Sequence, residues 1–145
     1  MINFLDTSVL VPAFLTDHPH HSASRDLLRR CSPETAVCTG HSLAEFYATL
    51  TRLPAPNRAS PQQALRFIEN IEQRLGFVSL TSEEYRNLIR LAASEGIAGG
   101  TLYDYLIASC AIKAGADTIS TWNTKHYRLF GPEIVGKLRV PEAAP

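Results

Sequence analysis

The sequence has no excess of charge of either sign: 14 Lys and Arg stand against 14 Asp and Glu, for a formal net charge of zero. Polyanion binding by bulk charge alone is therefore excluded, although a neutral chain can still present a local basic face. Cysteine is scarce. Cys31, Cys38 and Cys110 are odd in number, far apart and never in a C-x-x-C pair, which argues against a disulfide framework and a structural zinc site and suits a reducing cytoplasm. No apolar stretch approaches the roughly 20 residues of a membrane span. The opening run from Met1 to Asp6 has no basic region and is interrupted by an acid, so it is not read as a signal peptide. Internal repeats and low-complexity blocks are missing too. What remains is a chain of 145 residues, enough for one domain with its own core and expected to be soluble and cytoplasmic. Its cations are mostly Arg, the better fork for phosphate.

Hydrophobic periodicity predicts alternating strands and helices. Ile2 to Leu5 reads as a short strand, followed by a helix from Val9 to Leu15 that tolerates Pro12 only in its first turn. A second helix ends near Arg30. Ala36 to Thr39 reads as a strand, and Leu43, Phe46, Tyr47, Leu50 and Leu53 recur at helical spacing after it. Ser60-Pro61 is a helix start, and Gly76 is expected to end that helix. Phe77 to Leu80 is a third strand. Thr81 to Glu84 has capping-box spacing for a helix closed by Gly96. Leu102 to Ala114 is the most apolar helix, ended by Gly115. Thr118 to Thr121 gives a fourth strand and Leu138 to Val140 a fifth. The pattern is that of an α/β domain with a mostly parallel sheet, whose functional crevice lies beyond the carboxyl ends of the strands.

Three acids fall near such ends. Asp104 lies at the start of a helix that is apolar nearly all round, where a carboxylate is costly unless paired or bound to a metal; its plainer role is to complement the helix N-terminus. Asp6 ends the first strand and could equally cap the first helix. Glu45 could reach back to Ser42 in a capping box. Each is ambiguous singly, but parallel topology brings all three to one edge, where they repel unless a cation offsets them. Oxygen donors without Cys or His at metal spacing suit Mg2+ or Mn2+ rather than zinc. Such an ion can polarise a phosphodiester and activate water to attack phosphorus. The residues leave open whether one or two ions bind.

The ordered set Asp6-Thr7-Ser8-Val9-Leu10, Ser42-Leu43-Ala44-Glu45, Tyr103-Asp104-Tyr105-Leu106-Ile107-Ala108, Gly115-Ala116-Asp117 and Thr121-Trp122-Asn123 resembles PIN-domain ribonucleases of the VapC toxin type, over nearly the whole chain. The resemblance implies a three-layer α/β/α sandwich around a central, mostly parallel sheet of four to five strands. This domain would span residues 1–140, leaving 141–145 as a loose tail. It also implies Mg2+- or Mn2+-dependent RNA cleavage, a homodimer, and a small antitoxin partner that blocks the site. By that match Asp6, Glu45 and Asp104 are the catalytic, metal-binding acids. Many members carry a fourth acid after the fourth strand; here Asn123 offers a carbonyl without charge and is expected to support the site. Thr7 and Ser8 could orient Asp6 or a metal-bound water through their hydroxyls, Ser8 being the supporting candidate, or could equally cap the first helix. Asp117 is placed at the far end of its strand and is not promoted.

Other candidates have plainer readings. His18, His20 and His21 are read as solvated loop histidines, with no acid or Cys spaced to complete a site. His41 and His126 flank the second and fourth strands, where either could approach the crevice and His126 could contact a substrate phosphate, but an exposed His is the plainer reading. Arg25, Arg29, Arg30, Arg52, Arg58, Lys125 and Arg128 are candidates for an RNA groove or simply a solvated surface. Tyr47 and Tyr103 have the spacing of core residues, though either could stack on a base. Two rival functions stand beside the nuclease. A phosphatase with an Asp nucleophile wants a second Asp where Ser8 lies, and a silent PIN-fold binding module would explain the missing fourth acid.

Overall fold

The structure, a computed structural model, describes residues 1–143; of the expected tail, Ala144 and Pro145 lie outside the described residues. Five short strands form one parallel sheet: β1 (Asn3–Leu5), β2 (Ala36–Thr39), β3 (Gly76–Val78), β4 (Thr118–Ser120) and β5 (Leu138–Arg139), in the order β3-β2-β1-β4-β5. The chain first builds outward from β1 through β2 to β3, then returns to place β4 on the other side of β1. The order thus reverses between β1 and β4, and a crevice opens at such a switch point beyond the strand ends.

Strand alternation sorts the side chains to two faces. Leu5, Ala36 and Cys38 join one buried cluster, with Val9, Leu10, Leu28, Phe46, Leu50 and Ile71 from the covering helices. Those helices are α1 (Thr7–Leu10), α2 (His21–Arg29), α3 (Gly40–Arg52) and α4 (Pro61–Glu72). Phe4 and Ile119, register partners on neighbouring strands, belong to the opposite cluster with Leu106, Ile107, Cys110 and Tyr127. The elements there are α5 (Ser82–Ser94), α6 (Thr101–Lys113), α7 (Thr124–Tyr127) and α8 (Pro132–Lys137). The result is the expected sandwich of helix, sheet and helix.

The structure departs from expectation at a few places, each with a physical cause. The helix predicted over Val9 to Leu15 is instead the four-residue α1 followed by a 3-10 turn, Pro12–Phe14, because Pro12 has no N–H to continue the ladder. Gly76 does not end a helix. α4 stops at Glu72, and Gly76 opens β3, where a Cβ would stand 3.2 Å from the Pro33 carbonyl oxygen. The helices α7 and α8 lie where the sequence pattern gave no signal, being only four and six residues long. The capping box of Thr81 and Glu84 forms as expected, with Thr81 Oγ1 accepting from Glu84 N and Glu84 Oε1 accepting from Thr81 N.

Candidate active site

Asp6 follows β1 directly, and its backbone N–H donates to the Ser120 carbonyl at the end of β4. It sits at the start of α1, yet its side chain makes no capping bond there. Its carboxylate, only 4% exposed, turns instead to three hydroxyls. Ser8 Oγ and Thr121 Oγ1 donate to Oδ2, both at 2.8 Å, and Tyr127 Oη donates to Oδ1 at 2.9 Å. An ionised carboxylate offers roughly four acceptor sites, so one on Oδ1 is left for a further partner. Burial first, and then the Asp6 carboxylate, push the Tyr127 phenol well above its usual range, so it remains a donor.

Ser8 and Thr121 spend their protons on Asp6 and accept from the backbone in return. Ser8 Oγ takes the Trp122 N–H at 3.0 Å, and Thr121 Oγ1 takes the Asn123 N–H at 2.9 Å. The loop after β4 is thereby fastened to the loop after β1. Both predicted supporting residues share this arrangement, Ser8 through its side chain and Asn123 through its backbone.

Glu45 lies in the second turn of α3. Its capping-box alternative is not realised: Thr39 is the N-cap, accepting from His41 N, while the buried Ser42 Oγ has no hydrogen-bond partner among the described residues. Glu45 Oε1 instead accepts from Thr7 Oγ1 at 3.1 Å. His41 Nε2 lies 3.3 Å from the same oxygen without hydrogen-bonding alignment.

Asp104 stands in the first turn of α6, after Gly99-Gly100. Its side chain is 28% exposed, and His126 Nδ1 lies 3.7 Å from its Oδ2. Burial raises its pKa most; His126 opposes that, and the Asp6 and Glu45 charges add to it. The three acids therefore sense one another. α6 is less enclosed than its composition predicts: Tyr103 is 53% exposed and Ile112 40%.

Asp6, Glu45 and Asp104 line a single cavity of about 530 Å³, with Thr7, Ser8 and Asn123 also in its wall. The donor set is all oxygen, carries mutual repulsion and retains an open acceptor site on Asp6, which suits a hard divalent cation. Among the described residues, no three His, Cys, Asp or Glu side chains converge into a ready-made cage. The fit is thus one of donor chemistry on an open cavity.

A sequence model of the PIN domain matches residues 4–130. The chain belongs to the PIN-domain family. Ribonuclease VapC40 of Mycobacterium tuberculosis is 35% identical over 115 residues, covering 79% of this chain and 82% of the relative. The crystal structure of Mycobacterium tuberculosis VapC20, described as a sarcin–ricin loop cleaving toxin, superposes with a TM-score of 0.68 at 16% identity, over 91% of this chain and 98% of that one. VapBC-1 from nontypeable Haemophilus influenzae gives 0.65 at 19% identity, over 97% and 98%. These two structures speak to the fold.

The cavity of this PIN domain also contains residues that the sequence reading assigned to solvent. His18 and His20 are in its wall, and the His20 ring lies flat on Trp122, with centroids 3.6 Å apart and planes 7° from parallel. No local pattern signals this, because the stack joins the loop before α2 to the loop after β4. His21 points elsewhere, its Nδ1 2.9 Å from the Pro12 carbonyl. His41 is half-buried and stacks on Tyr103 at 5.2 Å. Tyr47 and Tyr103 are exposed rather than core. Asp117 lies at the far end of the sheet, as expected, accepting from Ile2 N at 2.7 Å.

Proposed function

We propose that this chain is a metal-dependent endoribonuclease that hydrolyses RNA phosphodiesters and serves as the toxin of a VapBC-type pair. The observation that carries the reading is the shared cavity of Asp6, Glu45 and Asp104 at the carboxyl edge of a parallel sheet. The capping roles of Asp6 and Glu45, their plainest alternatives, are not taken up. The kinship with Ribonuclease VapC40 points to RNA as the substrate.

In this reading Asp6, Glu45 and Asp104 hold Mg2+, or Mn2+ in its place, which would polarise the phosphodiester and lower the pKa of an attacking water. The chain's own groups do the positioning. Ser8, Thr121 and Tyr127 fix the Asp6 carboxylate so that it does not reorganise as substrate charge arrives. Thr7 restrains Glu45, whose long side chain would otherwise sample several rotamers. His126, exposed and 3.7 Å from Asp104, would be available to contact a substrate phosphate. Asn123 brings a neutral amide to the wall, able to accept from or donate to a water.

The same reading assigns the PIN domain to residues 1–140 with 141–145 as a tail, and adds a homodimer, a small antitoxin that occludes the cavity, and a cytoplasmic site of action. Purified protein incubated with single-stranded and structured RNA in Mg2+, and again with chelator, tests the activity. Cleavage by wild type that fails with chelator and in Asp6→Ala supports it. Co-expression of the product of a small adjacent gene should then suppress the cleavage. A binding module would cleave nothing, and a phosphatase would release phosphate from small phosphoesters instead.

A further inference from the structure

A hydrogen-bond donor, His18, shares the cavity wall with the acids. The backbone N–H of His20 donates to His18 Nδ1 at 3.0 Å. A ring nitrogen that accepts carries no proton, so the neutral His18 ring must carry its proton on Nε2. Among the described residues, Nε2 has no hydrogen-bond partner in the protein. The ring is held at the end of a ladder: His18 is 5.5 Å from His20, His20 is stacked on Trp122, and Trp122 is pinned by its indole N–H to the buried Ser24 Oγ at 2.9 Å and by its backbone N–H to Ser8. The rotamer and tautomer are thus set before any ligand arrives. Burial first, and then the neighbouring His20 and His21, lower the pKa of His18, which favours a neutral donor over a cation.

His18 also lines a second cavity of about 320 Å³, shared with Phe14, Thr16, Asp17 and Asn57. It therefore borders both the acidic cavity and this neighbouring one. A polynucleotide strand leaving the acids in this direction passes His18, and its backbone presents acceptor oxygens at every step. The acidic side repels those oxygens, whereas His18 carries an N–H with no partner among the described residues.

We propose that His18 is a substrate-positioning residue whose Nε2–H donates to a phosphate oxygen of single-stranded RNA as the strand runs from the acidic cavity into the neighbouring one. The proposal rests on the ribonuclease reading for its substrate class. It is tested with His18→Phe, which keeps a planar ring and removes the donor, and His18→Gln, whose amide N–H can take the place of Nε2–H. Binding of a fluorescent single-stranded RNA of mixed sequence is measured at low salt with chelator present, and cleavage kinetics are measured with Mg2+. His18→Phe is expected to raise both Kd and KM by about tenfold, the scale of one hydrogen bond to a charged group. Its kcat should stay within about twofold and its Tm unchanged, and His18→Gln should recover most of the affinity.

Wild-type affinity in His18→Phe would overturn the proposal, as would no detectable RNA binding by wild type. Equal loss in both variants would also overturn it, because it marks a packing role. A wild type that binds RNA through His18 yet cleaves none upholds this proposal and overturns the ribonuclease reading.

Discussion

At the scale of single residues, Asp6 is the pivot. It is a nearly buried carboxylate whose donors are three neutral hydroxyls, two of them from the far side of the switch point. Removing one donor should be felt twice. Tyr127→Phe deletes the bond to Oδ1 without changing the ring, and is expected to lower stability by about 1.5–3 kcal/mol, the range for a hydrogen bond to a charged group. RNA cleavage should fall at the same time; chemical denaturation and initial rates measure the two effects. Asp104 makes the opposite prediction for stability. Its pKa is raised in the folded state by burial and by Asp6 and Glu45, so its proton favours folding below the usual carboxylate range. That contribution is lost as pH rises through the folded value, and at neutral pH the ionised side chain opposes folding. Asp104→Asn should therefore gain stability over wild type as pH climbs from acid to neutral and then level off, while cleavage drops about a hundredfold or more, the scale of losing a preorganised electrostatic group. Melting curves across pH together with cleavage rates check both halves.

At the scale of elements, the ends of helices carry measurable energy. Thr81→Ala removes the hydroxyl that accepts from Glu84 N at the start of α5 while leaving the backbone N–H that donates to Glu84 Oε1, and should cost about 1 kcal/mol. Gly115 ends α6 with φ at +69° and nothing within 4 Å of an added Cβ. Gly115→Ala therefore carries a pure backbone penalty of about 1 kcal/mol, read as a fall in Tm of about 3 °C. Both ends were legible because capping boxes and terminal glycines are local patterns. β2 at Ala36–Thr39 was legible for the same reason. The break at Pro12 was only half legible: the sequence shows that proline cannot sit mid-helix, but not that two short turns would share the stretch. α7 and α8 were not legible, because four to six residues give too little periodicity.

At the scale of the molecule, the sheet order does the gathering. A chain that builds to one side of β1 and then returns to the other brings the loops after β1 and β4 together at the carboxyl edge. Glu45 on α3 and Asp104 on α6 reach that edge from opposite faces of the sheet. That Asp6, Glu45 and Asp104 would share one edge could be read from sequence, because their order along the chain and the parallel topology imply it. Their hydroxyl partners could not, since Tyr127 meets Asp6 across 121 residues, and the ring ladder of His18, His20 and Trp122 joins two loops that nothing local connects. The most direct measurement of the central claim is cleavage of a broad RNA set by wild type, Asp6→Ala, Glu45→Gln and Asp104→Asn, with Mg2+ and then with chelator. The account predicts cleavage by wild type in Mg2+ alone, with all three variants reduced to the chelated baseline. Equal cleavage by wild type and the variants, or cleavage that survives chelation, would contradict it.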